Sequence, residues 1–436
     1  MDFLIFYEHF NREMENIILL KMQLQKLGHS VAISHFSKNS YAKHILLSKP
    51  KVVVTPWLRD DDNVFRFTRF LNKPKLVNLQ WEQIYSDNDF KIGIASTTGL
   101  ATKANHICWG EASRERLIKE GVPEKNLKVT GAIQLDFCRE EFNSYYFSRS
   151  EIAKKYNLNP NRKWILFISS FAYATYNENS LDKLFKQWGD FSEFVVINKG
   201  SRAIALEWFE KLMNEDPNIE FIYRPHPSEN LDSYIKKLAE GNSRFNIISD
   251  FSVKQWIKVS DKIITWYSTS ISEIYAMNKR FCIIRPIKIP NIYEINIMKE
   301  AKFITEYEKL LNYIKYEEMT LPISHQQLHE NYLIDSTPAY VKVADYLIDI
   351  LSDNNIGKIC INKKVKNLYK EKHRNDIIVS LLTEFVINTN IKLSKIIPFK
   401  KENFKNIERY VDLYPKNSIK LIESKLEKVI NPNEKE

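Results

Sequence analysis

Short apolar runs alternate with longer amphipathic stretches along most of this chain, and that rhythm constrains its fold more than any single motif. Phe3–Tyr7 is followed by an amphipathic run over 11–27, then Ser30–Ser34, 40–48, Val52–Thr55 and 61–72. Leu76–Trp81, His106–Trp109 and Leu127–Thr130 read as further strands, with helices near 112–120 and after 134. Strands separated by helices of this length predict a parallel sheet covered on both faces. The pattern breaks over 143–162, where Asn157, Asn159, Pro160 and Asn161 cluster, and resumes with the apolar run Trp164–Phe171. Strands are then predicted at Phe194–Ile197, Ile219–Tyr223, Asn246–Ile248, Lys262–Thr265 and Phe281–Ile284. Helices are predicted near 201–214, 230–240, 253–258 and 270–279.

At 436 residues the chain exceeds the roughly 250–300 at which a single core stops growing. With 44% hydrophobic residues it is no disordered chain either. The expected organisation is α/β, two Rossmann-like domains facing across a cleft: a first domain over 1–145, a linker over 146–162, a second domain over 163–354 and a basic helical tail over 355–436. The helical stretch 337–352 either closes the second domain or crosses back to the first.

Four cysteines, Cys108, Cys138, Cys282 and Cys360, show no metal or redox spacing, so a reducing compartment is expected. Asp2 stands where a signal peptide carries positive charge, and no stretch approaches the ~20 apolar residues of a membrane span. A cytoplasmic protein is the expectation. Residues 355–436 carry 18 Lys and Arg against 10 Asp and Glu, most of the net +10. Such a tail reads as a solvated face or as a peripheral contact with the inner face of the membrane. Nucleic acid is not expected, since no recognition motif accompanies the charge.

In a parallel sheet, ligands collect at the carboxyl ends of strands, and the informative residues fall there. Arg224-Pro225-His226-Pro227 follows the apolar run from Ile219. The two prolines restrict the backbone around His226, Arg224 offers a donor fork that matches phosphate, and His226 can donate to a leaving phosphate oxygen. After Lys262–Thr265 come Ser268, Thr269 and Ser270, hydroxyls at a helix start that suit an anion. Ser270-x-x-Glu273 is equally a capping box, and Glu273 is alternatively an acceptor for a ribose hydroxyl. Ser169 and Ser170 end the first strand of the second domain, and Lys199-Gly200-Ser201-Arg202 stands at the start of the next predicted helix.

These residues resemble the donor half of GT-B glycosyltransferases. The His-Pro pair with the Ser/Thr cluster is similar to that of CDP-glycerol glycerophosphotransferases and of transferases that use CMP-activated sialic acid or Kdo, in bacterial surface-carbohydrate biosynthesis. The resemblance covers roughly 163–350 in its motifs and the whole chain in its architecture. It implies metal-independent transfer without a cofactor, His226 and Ser268–Ser270 on the donor phosphates, and a glycan or lipid-linked acceptor on the N-terminal half. Glu82, after Leu76–Leu79, is the candidate base, and with Ser86 it loosely matches an acidic residue and serine of the CMP-sugar transferases, although their glycine is missing. The His-Gly pair of the glycerophosphotransferases is missing too. His9 is the alternative base or acceptor contact.

Asp60-Asp61-Asp62 invites a metal reading, but acids that open a helix are explained by its dipole. His106, inside an apolar run, reads as a core residue. Three classes of function follow: transfer of a sugar or a polyol phosphate from a nucleotide donor, epimerisation of a nucleotide sugar, and non-catalytic binding at a membrane assembly.

Overall fold

A computed structural model describes residues 1–36, 49–68, 71, 75–316, 321–353, 358–363, 367, 382, 389 and 416–430. The predicted helix over 40–48 and most of the basic tail lie outside the described residues. The strands are β1 (Phe3–Tyr7), β2 (Val31–His35), β3 (Val52–Thr55), β4 (Lys75–Asn78), β5 (Asn105–Cys108), β6 (Leu127–Val129), β7 (Lys163–Ile168), β8 (Ile219–Arg224), β9 (Phe245–Ile247), β10 (Lys262–Thr265), β11 (Phe281–Ile284) and β12 (Phe303–Ile304). The helices are α1 (Phe10–Lys26), α2 (Asp61–Thr68), α3 (Asp87–Lys91), α4 (Glu111–Lys119), α5 (Ile133–Asp136), α6 (Arg149–Tyr156), α7 (Glu178–Trp188), α8 (Ser192–Glu215), α9 (Ser233–Gly241), α10 (Val253–Val259), α11 (Ile271–Ala276), α12 (Tyr307–Lys315), α13 (His325–Asn331), α14 (Ala339–Ser352) and α15 (Lys416–Ile430).

The chain forms two compact units, Met1–Gln83 with Ser96–Asp136 and Glu330–Glu436, and Ile84–Ala95 with Phe137–His329. In the first, six parallel strands run in the order β2-β1-β3-β4-β5-β6. β1 is buried along its whole length and pairs on both sides, Ile5 opposite Ile33 and Val54. Burial of each such side chain contributes about 1.5–3 kcal/mol, which is why this apolar run becomes the inner strand. In the second unit the order is β12-β11-β10-β7-β8-β9, a doubly wound sheet whose strand order reverses between β7 and β10. A core that includes Ile165, Phe167, Phe209, Phe221, Ile264 and Trp266 fills one face of it.

Two features differ from the sequence expectations, and a third decides between alternatives they left open. Phe194–Ile197 is no strand but part of α8, a 24-residue helix. Its buried positions Phe194, Ile197, Asn198, Ser201, Arg202, Ala205, Leu206 and Phe209 recur every three or four residues. A four-residue apolar run cannot distinguish a strand from a buried helix face, and the longer period decides.

The stretch 337–352 becomes α14 and belongs to the first unit. The Asp136 carboxylate accepts from Ala339 N–H at 2.9 Å and Tyr340 N–H at 2.8 Å, at the positive end of the helix. Lys75 Nζ donates to Leu351 O at 3.0 Å and Asp353 O at 2.7 Å, at the negative end. Charges of opposite sign hold both ends. α15 also packs in this unit, with Leu426 buried and Lys21 Nζ 2.8 Å from Glu423.

Residues 84–95 fall in the second unit. Asn88 N–H donates to Ile292 O at 2.8 Å, Asn296 N–H to Tyr85 O at 3.0 Å, and Ser86 bridges Ile295. Ser86 is the N-cap of α3 in a reciprocal capping box with Asp89, a structural duty. Among the described residues, no helix is long and apolar enough to cross a membrane.

Candidate functional site

In the second unit, strand pairing places the carboxyl ends of β8, β7 and β10 side by side, with Ile168 opposite both Arg224 and Thr265. The loops that follow carry His226, Ser170 and Ser268–Ser270. These motifs are far apart in sequence and meet at the point where the strand order reverses, the usual ligand position in such sheets.

The His226 loop is tightly built. Glu229 N–H donates to His226 O at 2.8 Å, closing a four-residue turn with Pro227 at its second position. His226 N–H donates to Glu229 Oε2 at 3.1 Å, and Ser228 N–H donates to His226 Nδ1 at 3.2 Å. The imidazole is exposed. Arg224 donates from Nη1 to Asp250 O at 2.9 Å and from Nη2 to Phe251 O. Its guanidinium therefore fastens the 250–251 loop with two of its five N–H groups.

Around the hydroxyl run, Ser270 is the residue before α11, but its side chain makes no cap. The expected Ser270–Glu273 capping box does not form, because Ser270 has helical φ and ψ of −62° and −6°, while a capping side chain needs an extended backbone. Instead Ser268 Oγ accepts from Ser270 N–H at 3.2 Å, and the single Ser272 hydroxyl proton has two acceptors in reach, Thr269 O at 2.9 Å and Glu273 Oε2 at 2.7 Å. Thr269 is exposed and Ser268 and Ser270 are half-buried, so the hydroxyl run reaches solvent.

The two serines that follow β7 part company. Ser169 is buried and donates to Glu229 Oε2 at 2.6 Å, so its hydroxyl serves the protein interior. Ser170 is half-buried and its carbonyl accepts from Asn198 Nδ2 at 3.2 Å. Lys199-Gly200-Ser201-Arg202 opens no helix; it lies inside α8, with Ser201 and Arg202 buried and Arg202 Nη1 2.8 Å from Asp232 Oδ2.

In the first unit, the strand order reverses at β1, and a charged cluster gathers there. Glu8, His9 and Arg12 follow β1, Arg59 follows β3 and Glu82 follows β4. The loop that carries Glu82 is held by buried amides: Gln83 Nε2 donates to Ile107 O at 2.9 Å, and Gln83 Oε1 accepts from Trp109 N–H at 2.9 Å. Gln80 adopts φ +48°, with its N–H on Asn78 Oδ1 at 3.0 Å. Arg12 Nη1 donates to Glu82 Oε1 and Arg12 Nη2 to Glu13 Oε1.

Partial desolvation at the sheet edge acts to raise the half-exposed Glu82 carboxyl, but Arg12 and Arg59 outweigh it and hold the group below the ordinary carboxylate value. His9 adds to that pull, so the two sequence candidates for the base share one electrostatic environment. Glu13, fully buried, is pushed up to about 7 by loss of solvation, against the attraction of Arg12. Glu8 is also raised by burial. The sequence reading passed over Arg12, Glu13 and Arg59. Arg12 and Glu13 lie one helical turn past His9 and were legible as neighbours, whereas Arg59 arrives only through strand pairing.

The remaining candidates are structural. Asp60 Oδ1 accepts from Asn63 N–H at 2.8 Å, Asp61 Oδ1 accepts from Leu100 N–H at 2.6 Å, and Asp62 lies 3.8 Å from Arg66. His106 is fully buried between Asn78 Nδ2 at 3.2 Å and Ala101 O at 3.0 Å, and burial lowers it to about 4, as a core histidine requires.

No known protein family and no curated protein matches the chain in sequence. Among solved structures, the UDP-GlcNAc 2-epimerase from Neisseria meningitidis bound to UDP-GlcNAc is similar at 14% identity and a TM-score of 0.52, covering 80% of this chain and 99% of that one. S. aureus MnaA with UDP is similar at 14% identity and a TM-score of 0.51, covering 81% and 98%. The wall teichoic acid polymerase TagF reaches 0.48 at 13% identity, covering 87% and 89%. The fold is α/β with two parallel six-stranded sheets, and it is GT-B-like.

Proposed function

We propose that the protein is a glycosyltransferase that moves a sugar from a nucleotide-activated donor, CMP- or CDP-linked, to a bacterial surface glycan acceptor. The observation that carries this reading is the placement of Arg224-Pro225-His226-Pro227 and Ser268–Ser270 at the ends of the two strands that flank β7, beside the order reversal of the second sheet. In this reading His226 and Arg224 stabilise the leaving phosphate, and Ser268–Ser270 help to hold it. Glu82, with His9 beside it, is the proposed base for the acceptor hydroxyl. Transfer of a polyol phosphate from a CDP donor uses the same donor groups and differs only in the group that moves.

Calorimetric titration of CMP, CDP, UDP and GDP into the native chain and a His226→Ala variant tests the reading. Cytidine-nucleotide binding that is lost in the variant supports it. No nucleotide binding, or binding that the substitution leaves unchanged, removes the donor-site assignment.

A second reading, nucleotide-sugar epimerisation, is favoured by the likeness to the UDP-GlcNAc 2-epimerase. Turnover of UDP-GlcNAc alone, followed by NMR without any acceptor, separates it from transfer. Membrane contact through the basic tail is a further part of the proposal, and loss of binding to anionic vesicles when 355–436 is deleted is its test.

A further inference from the structure

Beneath the His226 loop lies a carboxylate with no exposed side-chain surface. Glu229 accepts from Ser169 Oγ at 2.6 Å, Tyr223 Oη at 2.5 Å and His226 N–H at 3.1 Å. Ser169 directly follows β7, Tyr223 lies within β8 and His226 belongs to the loop, so one buried group ties three chain segments together. A carboxylate out of water is tolerated only where donors surround it, and charge-assisted bonds of this kind are about twice as strong as neutral ones. The turn that Glu229 closes brings Ser228 N–H to His226 Nδ1 at 3.2 Å. An Nδ1 that accepts a main-chain N–H carries no proton, so the ring proton is on Nε2.

We infer that Glu229 is the positioning residue of this site, fixing the His226 ring so that Nε2–H is the donor offered to a nucleotide phosphate. The ligand half of the inference rests on the donor-site reading; the ring geometry stands without it. Glu229 itself is enclosed by protein and touches no ligand, so it acts through the loop.

The test uses the full chain with 15N-labelled histidine, the His226 signal being assigned by its loss in His226→Ala. The native ring is expected as the neutral tautomer with the proton on Nε2. In Glu229→Ala that preference weakens towards that of an unconstrained imidazole, and CDP affinity falls about tenfold. Glu229→Gln, which keeps a carbonyl oxygen for His226 N–H, restores most of both. If Glu229→Ala does not fold, the Ser169→Ala, Tyr223→Phe double variant carries the test, since it removes two donors to Glu229 and retains the aromatic ring in the core.

An unchanged Nε2–H tautomer in the Glu229→Ala chain, or in the double variant in its place, overturns the inference. Loss of the tautomer with CDP binding unaffected in His226→Ala overturns the donor-site reading and leaves the positioning role standing.

Discussion

Arg12 of α1 and Glu82 after β4 form an ion pair across the carboxyl edge of the first sheet, joining positions 70 residues apart. The pair keeps Glu82 ionised, and its folded carboxyl titrates below its unfolded value. Its contribution to stability is therefore present above the unfolded value and lost as pH falls through the folded one. Because Glu82 is half exposed, that contribution is small. The larger consequence is for chemistry. Arg12→Gln removes the nearest cation, so the Glu82 carboxyl rises. If Glu82 is the base, the acidic limb of the kcat/KM profile moves to higher pH. A limb that stays in place would show that another group titrates.

Glu13 works in the opposite sense. Burial raises its folded carboxyl from 4.5 to about 7, so the folded state holds a proton that the unfolded state has lost. Its contribution is fully present below the unfolded value and disappears as pH rises from about 4.5 to about 7, a span worth on the order of 3 kcal/mol. Glu13→Gln should remove that slope. The Tm difference between native and variant chains, measured from pH 4 to pH 8, isolates it, because the other titrating groups cancel in the difference.

α14 is held at both ends by buried charge, and the two ends should respond separately. Asp136→Ala removes the acceptor for Ala339 and Tyr340 N–H. We expect a loss of about 2 kcal/mol, with hydrogen exchange rising in the first turn of α14 and not in its last.

Gly131 adopts φ +85°, and a Cβ there would lie 2.6 Å from Leu333 O. Gly131→Ala therefore combines backbone strain with a clash against main chain, and about 3 kcal/mol of destabilisation is expected. Gly28→Ala is the comparison, since Gly28 has a similar φ of +87° and open space around it. Its smaller effect on Tm would separate the clash from the strain.

Sequence by itself determined the class of fold and most of the elements. Buried parallel strands are continuous apolar runs such as Phe3–Tyr7 and Lys262–Thr265, and the amphipathic stretches between them have nowhere to bury their apolar faces except on those sheets. The strand-end residues around His226 and Ser268–Ser270 were legible for the same reason, because a motif that follows an apolar run sits where a strand ends. Tertiary structure alone decided which of these side chains do internal work. Ser169 and Ser170 look alike in sequence, yet Ser169 turns inward to Glu229 while Ser170 keeps partial exposure. Arg59 reaches Glu82 only because β3 pairs with β4. α14 returns to the first unit because Asp136 and Lys75 match its dipole. Local propensity fixes periodicity over a dozen residues; hydrogen bonds and charges between segments hundreds of residues apart depend on strand order, which no local pattern encodes.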